Sequence, residues 1–243
     1  MISAKRKRLI RWLDARLYPG FQNHWDDDLF RAEIIGLLRR EHQVLDLGAG
    51  AGVLPQMNFR GNVRKVCGVD LDPRVRANPH LDEACVGDVE ALPYGCESFD
   101  VVFSSNVLEH LVRPECVFRE VARVLKPGGY FLVKTPNRRH YVPLIARCTP
   151  HRFHKWVNRL RGRLGEDSFR TLYAANTPQE IERLASGAGL VIEKLRLVEG
   201  RPEYCRLNSV LYLAGAGYER VVNTLAGLSW FRVLLVAVLR KVG

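Results

Sequence analysis

Apolar positions along the first part of the chain fall at the spacing of one helical face. In Ala4–Leu17, Leu9, Ile10, Trp12, Leu13 and Leu17 are set among arginines, and Tyr18-Pro19-Gly20 closes the pattern, which predicts an amphipathic helix. A second helix is predicted over residues 27–40, with Asp26, Asp27 and Asp28 favourable at its positive amino-terminal end. From residue 43 the period shortens. Apolar runs at 43–47, 66–70, 84–86, 99–104 and 130–134 read as strands, and a helical stretch at 114–125, stopped by Lys126-Pro127-Gly128-Gly129, lies between the last two. Short apolar runs alternating with helical patterns imply a parallel sheet with crossover helices.

Residues 135–176 break this rhythm with an arginine-rich, aromatic-bearing insert. The alternation then resumes. Thr177, Pro178 and Glu180 have the spacing of a capping box, Gly187 and Gly189 end the helix, and a strand is predicted over 190–198. Residues 207–228 are apolar at helical spacing, and 232–240 read as a last buried strand. Glu219, Arg220 and Arg232 interrupt these runs before they reach the ~18 residues that cross a bilayer, so no transmembrane anchor is expected.

At 243 residues the chain suits one large α/β domain, with 47% apolar and 26% charged residues. The six scattered cysteines show no CxxC pair or metal-ligand spacing, which points to a reducing cytoplasm. The basic amino terminus lacks the apolar core of a secretory signal. Net charge is +11, and it is unevenly distributed: residues 41–133 hold 9 basic and 13 acidic side chains, whereas residues 134–170 hold 10 and 2.

The chemistry begins at Val44 to Gly52, VLDLGAGAG, a buried strand entering a glycine-rich turn before a helix. Glycines there let a ligand approach the backbone closely at the carboxyl edge of a parallel sheet. Asp70 ends the next strand, where a carboxylate can accept both ribose hydroxyls of an adenosine. Asp88, after the third strand, can accept from the adenine amino group while neighbouring backbone reads the ring edge.

With GVDLDP at 68–73, the run from Gly87 to Leu111 and LKPGGYFLVKTPN at 125–137, these pieces resemble the class I S-adenosylmethionine-dependent methyltransferase superfamily, in its type 11-like small-molecule branch. The resemblance covers about residues 43–137. It implies an α/β, Rossmann-like, doubly wound seven-stranded sheet, mostly parallel with one antiparallel strand, and helices on both faces. The antiparallel strand would be 232–240, between the fifth and sixth. The domains would be a helical cap at 1–40 and a methyltransferase domain at 41–243 carrying the insert 135–176 and a helical insert at 199–231.

The cofactor implied is S-adenosyl-L-methionine. Gly48, Ala49 and Gly50 would cradle its amino-acid part with Asp46 in support, Asp70 would hold the ribose, and Leu71 would pack on adenine. Asp88 and Val89 would recognise the ring edge, and Ser105 and Asn106 would line the transfer side.

Methyl transfer from a sulfonium is an in-line displacement, so positioning supplies much of the rate, and a base helps where the acceptor carries a proton. His110 is the candidate base, with Glu109 to orient or charge it; a packed structural histidine is the competing reading. Asn106 stands where quinone-type O-methyltransferases are similar but carry an acid proposed to help hold a metal, so no metal is expected. His140, Tyr141, His151, His154, Trp156 and Tyr173 could shape an acceptor pocket, and His140 or His151 could replace His110 as base.

The implied acceptor is an oxygen of a lipid-linked, sugar or secondary-metabolite molecule. The alternatives are nitrogen or carbon acceptors, RNA or protein, or a non-catalytic adenosylmethionine-binding scaffold. Nucleic-acid bases are not expected as acceptors, because SSNV replaces an NPPY-type tetrapeptide and no Pro-Cys pair is present. A nicotinamide enzyme is disfavoured by the absence of a Tyr-x-x-x-Lys pair. The basic insert admits an anionic acceptor or simply a solvated face. The apolar stretch admits a stripe of Leu211, Ala214, Tyr218, Val222 and Leu225 packed on the sheet or a second subunit, which is the preferred reading. It also admits peripheral contact with an anionic membrane, together with the basic first helix.

Overall fold

The computed structural model describes residues 4–21, 24–148, 171–206 and 208–243. In chain order the elements are α1 (Ala4–Leu17), α2 (Trp25–Ile35), β1 (Gln43–Leu47), β2 (Lys65–Asp70), β3 (Glu83–Val86) and β4 (Phe99–Ser105). There follow α3 (Pro114–Val124), β5 (Leu125–Pro136), α4 (Tyr141–Cys148), α5 (Pro178–Gly187), β6 (Leu190–Val198), α6 (Ser209–Thr224) and β7 (Leu234–Lys241).

All seven strands form one sheet in the order β3-β2-β1-β4-β5-β7-β6. β1 runs parallel to β2 and β4, β2 to β3, and β4 to β5. β7 is the antiparallel strand, between β5 and β6 as expected. The central strands are near-continuous apolar runs because both faces are covered: Val44, Leu45, Val101, Val102, Leu132 and Val133 are fully buried. α3 covers part of the sheet through Val117, Phe118 and Val121, with Phe118 edge-on to Phe131 of β5.

Several boundaries differ from those the pattern predicts. No α-helix follows the glycine turn: a 3-10 turn at Pro55–Met57 joins β1 to β2, and another at Pro73–Ala77 joins β2 to β3. Pro55 opens the short turn and Gly61 stands at positive φ, so both interrupt a regular helix in the first connection. The Lys126-Pro127-Gly128-Gly129 segment lies inside β5, with a register shift opposite Phe99 and Val101. A Cβ at Gly129 would come within 2.9 Å of the Asp100 carbonyl oxygen, so the bulge closes only with glycine. α2 stops at Ile35, just before Gly36, rather than at residue 40. The capping box forms as predicted, with the Glu180 N–H donating to Thr177 Oγ1 at 3.3 Å.

By contacts the chain divides into two compact units. The larger, residues 26–136, 171–196 and 235–243, holds the sheet with α2, α3 and α5. The smaller, residues 1–25, 137–170 and 197–234, gathers α1, α4 and α6. Its core is Ile10, Leu13, Tyr18, Tyr212 and Ala216. Asp14 accepts there from Arg206 at 2.6 Å and from the Tyr212 hydroxyl at 2.7 Å, and Glu219 accepts from the Tyr18 hydroxyl at 3.1 Å. The packed stripe of α6 is therefore Tyr212, Gly215, Ala216, Glu219 and Val222. Leu211, Ala214 and Leu225, expected to pack, are exposed, because Tyr212 bonded to Asp14 and Glu219 bonded to Tyr18 set the inward face of the helix.

Candidate active site

The parallel register of β1 and β2 pairs Asp46 with Gly68 and Leu47 with Val69, so both strands end side by side. The chain leaves β1 through Gly48, Gly50 and Gly52, all at positive φ. The Gly48 and Ala49 N–H groups donate to the Val69 carbonyl at 2.8 and 3.2 Å, and the Gly50 N–H donates to Asp70 Oδ2 at 2.8 Å. Asn78 Nδ2 donates to the carbonyls of Ala49 and Gly50 at 2.9 and 3.2 Å. The amides of 48–50 are thus used to hold the loop itself, and what they offer a ligand is bare glycine surface. At Gly50 a Cβ would meet nothing nearer than Asp70 Oδ2 at 3.9 Å.

Asp70 holds one backbone N–H on each oxygen, Gly50 on Oδ2 and Asp72 on Oδ1 at 2.8 Å. Its remaining lone pairs suit a pair of hydroxyls. Asp46 lies buried beneath the turn, where burial, reinforced by the charge of Asp70, pushes its carboxyl up to about 8. Leu71 is 63% exposed, an apolar platform beside Asp70. Asp88 is exposed and accepts the Glu90 N–H at 2.9 Å, while Val89 faces the core, so any ring-edge recognition by residue 89 falls to its main chain.

The loop after β4 meets the glycine turn directly: a Cβ on Gly48 would lie 2.3 Å from Val107 Cγ2. Asn106 sits at φ 58°, a left-handed conformation asparagine tolerates, and its N–H donates to the Lys134 carbonyl at 2.8 Å. Ser105 Oγ is buried and has no hydrogen-bond partner among the described residues, an orphaned polar atom at the carboxyl end of β4. His110 closes the 3-10 turn Leu108–His110 and is half-buried. Glu109 is buried and accepts from Thr135 Oγ1 at 3.0 Å; burial raises its pKa. Its backbone carbonyl accepts from the N–H groups of Leu172 and Tyr173, and Asn176 Nδ2 donates to Thr135 Oγ1 at 2.6 Å. Glu109 thereby ties the loop after β4 to β5 and to residues 172–176.

The open loop edge, the two-sided carboxylate at Asp70 and the orphaned serine fit an adenosine-bearing ligand with a polar tail. A cavity of about 330 Å³ lies elsewhere, lined by residues that include Arg39, His42, Lys126 and Tyr130 near the starts of β1, β4 and β5. Asp100, also in its lining, is already bonded to the Gln43 N–H and Lys126. That cavity sits at the strands' amino ends, away from the glycine turn, and the loop edge is the better candidate.

Three groups in this unit escaped sequence reading. Asn78 latches the glycine turn, and a Cβ at Gly52 would come within 2.2 Å of its Oδ1. Thr135 and Asn176 complete the Glu109 network. Asp27 does more than cap α2: with Asp26 it pairs with Lys134, fully buried in β5. The available signals were an Asn-Pro turn at 78–79 and a lysine in the buried run YFLVK.

The expected aromatic cluster is divided. Tyr173 lies in the sheet unit, His140 and Tyr141 in the smaller one. His151, His154, Trp156 and Arg152, Arg159, Arg161, Arg163 and Arg170 lie outside the described residues. His140 is buried, its Nδ1 accepts the Val142 N–H at 3.3 Å, and its Nε2 lies 3.5 Å from a Glu199 carboxylate oxygen. Burial pushes His140 down to about 3 and Glu199 up to about 8. Tyr141 and Tyr218 stack edge-on beside them.

Residues 45–133 match the family described as "Methyltransferase domain". The chain is 35% identical over 146 residues to a Mycolicibacterium smegmatis protein named "Probable S-adenosylmethionine-dependent methyltransferase", covering 56% of this chain and 54% of that one. It is 28% identical over 171 residues to a ubiquinone biosynthesis O-methyltransferase of Chromobacterium violaceum, covering 63% and 66%. The chain thus spans between half and two thirds of the length of these curated relatives. Among solved structures, YcgJ of Bacillus subtilis superposes with a TM-score of 0.54 at 21% identity, covering 88% of this chain and 99% of that one. The cyclase SpnF superposes with 0.58 at 19% identity, covering 89% and 81%, which shows the shared fold alone. Residues 45–133 thus match a methyltransferase domain, and the resemblance read from the sequence to the class I S-adenosylmethionine-dependent methyltransferases agrees with that match. S-adenosylmethionine is the cofactor this domain match supports.

Proposed function

We propose that the protein is a methyltransferase that moves the sulfonium methyl of S-adenosylmethionine to an oxygen of a small molecule, of lipid-linked, sugar or secondary-metabolite type. One observation carries this reading: the glycine turn after β1 is joined at Gly50 to the Asp70 carboxylate and pressed at Gly48 against Val107. Nucleoside-holding and transfer-side residues therefore share one sheet edge.

In this reading Asp70 holds the ribose hydroxyls, Leu71 and the main chain at 88–89 hold the base, and the glycine surface at 48–50 receives the amino-acid tail. Bound S-adenosylmethionine supplies an electrophilic methyl group. Ser105 and Asn106 line the path of the acceptor, and His110 takes the proton that a hydroxyl acceptor must lose. Glu109 is a positioning residue, holding the loop that carries His110 through Thr135 and Asn176. The O-methyltransferase named among the relatives supports an oxygen acceptor.

The test is calorimetric titration with adenosylhomocysteine, followed by a screen of metabolite extracts with labelled methyl donor. Binding and label transfer to a small molecule are expected. Folded protein with no affinity for either adenosyl compound ends the proposal, and label found only in RNA or protein replaces its acceptor.

A further inference from the structure

The outward face of α6 is apolar along its length. Val210, Ala214, Gly217 and Val221 follow at three- and four-residue steps, all exposed, with Leu211 and Leu213 exposed on either side. The one acidic residue of the helix, Glu219, is turned inward, where it accepts from Tyr18 and Asn223. A water-facing helix has the opposite arrangement. The apolar surface resumes in the turn after α6 at Leu225, Trp230 and Phe231, and on α4 at Leu144 and Ile145. Arg139, Leu144, Trp230 and Phe231 line a groove of about 460 Å³, with the Arg139 guanidinium 5.3 Å above the Trp230 ring. On α1, Leu9 and Trp12 are exposed beside Arg8 and Arg11, which are exposed too.

Scattered exposed apolar residues are ordinary, but here they concentrate. Of the 20 exposed large hydrophobic residues among those described, 13 belong to the smaller unit. The same unit contains 19 lysines and arginines against 6 acidic residues, whereas the sheet unit contains 18 against 20. Charge selects among possible occupants. A second copy docked on this face would bring two strongly basic units together, whereas an anionic bilayer offers an apolar interior and the opposite charge at once. No helix among the described residues is long and apolar enough to cross a membrane, so the contact lies in the plane of the interface.

We propose that the smaller unit docks the protein on anionic lipid bilayers. The outer face of α6 with Trp230 and Phe231 enters the headgroup boundary, and the arginines of α1 with Arg139 meet lipid phosphates. This inference does not depend on the transfer reaction.

The test is flotation of the full chain with vesicles of mixed phosphatidylcholine and phosphatidylglycerol, and with phosphatidylcholine alone. The protein floats with the anionic vesicles and at least about tenfold less with the neutral ones, and added salt weakens the association. V210E/V221E lowers the association at least about tenfold, with melting temperature and adenosylhomocysteine affinity unchanged. R8E/R11E, at exposed positions of α1, lowers it independently of the apolar face. Failure of wild-type protein to float with anionic vesicles overturns the proposal, as does equal flotation of wild type and both variants. A concentration-dependent dimer that V210E/V221E abolishes while flotation persists assigns the face to a second copy instead.

Discussion

The two units place their ionisable groups differently. In the sheet unit the site carboxylate is held by local backbone: Asp70 binds the amides of Gly50 and Asp72, 20 and 2 residues away. In the smaller unit acids are held by side chains from the far end of the chain, Asp14 by Arg206 and Tyr212, and Glu219 by Tyr18, across about 200 residues. A site built on backbone can keep unused lone pairs for a ligand, whereas one built on side-chain pairs spends them on closing the fold. In the proposed reading the sheet unit therefore carries the cofactor-binding chemistry.

The sharpest challenge to this contrast is Lys134, the one long-range ion pair described inside the sheet unit that is fully buried at the cation. Lys134→Met removes the buried cation that pairs with Asp27 and is expected to destabilise the protein by about 3–5 kcal/mol, read as a fall in melting temperature. A small loss would mean that the pair is dispensable. Next, Asp70→Ala removes the carboxylate between turn and ribose and is expected to weaken adenosylhomocysteine binding by about 3 kcal/mol, roughly 100-fold by calorimetry, with the fold intact. If binding is kept, the local-backbone site is misplaced.

His110→Ala is expected to slow turnover about 100-fold while donor affinity stays near wild type. Unchanged turnover removes His110 as the base. The smallest effect, taken per pH unit, is on pH dependence, and it has opposite signs in the two units. Asp46 is raised from 3.8 to about 8, so its stabilising contribution is complete below pH 3.8 and is lost as pH climbs through about 8. His140 is lowered from 6.5 to about 3, so its contribution is present above pH 6.5 and is lost as pH falls towards 3. Melting curves across pH should show Asp46→Asn flattening the decline between pH 3.8 and about 8, and His140→Gln the rise between about pH 3 and 6.5, each by at most about 1.4 kcal/mol per pH unit. Exchange of the two effects would contradict the burial of these groups.

The strands and the glycine turn were legible because each rests on a short-range rule, apolar runs covered on both faces and glycine where φ is positive, while the place of the last strand came from the resemblance. The missing helix after Gly52 was not, since the strand and glycine turn suggested a helix to follow while Pro55 and Gly61 locally opposed it. The phase of α6 was misread because a helix apolar on nearly every side has no polar face to orient it; the inward stripe is set by Tyr212 and Glu219 meeting α1 partners. Glu109 was read towards its neighbour His110, whereas the hydroxyl it accepts from comes from Thr135, 26 residues on. Pairings of that kind follow from sheet register, which residue spacing alone does not reveal.

Position 48 shows how tightly such an edge constrains sequence drift. Trimming Val107 would clear the steric wall facing an alanine there, yet the backbone at φ 76° would still resist any side chain. Two separate obstacles guard one residue, so no single compensating change can free it, and variation should collect at its neighbours instead.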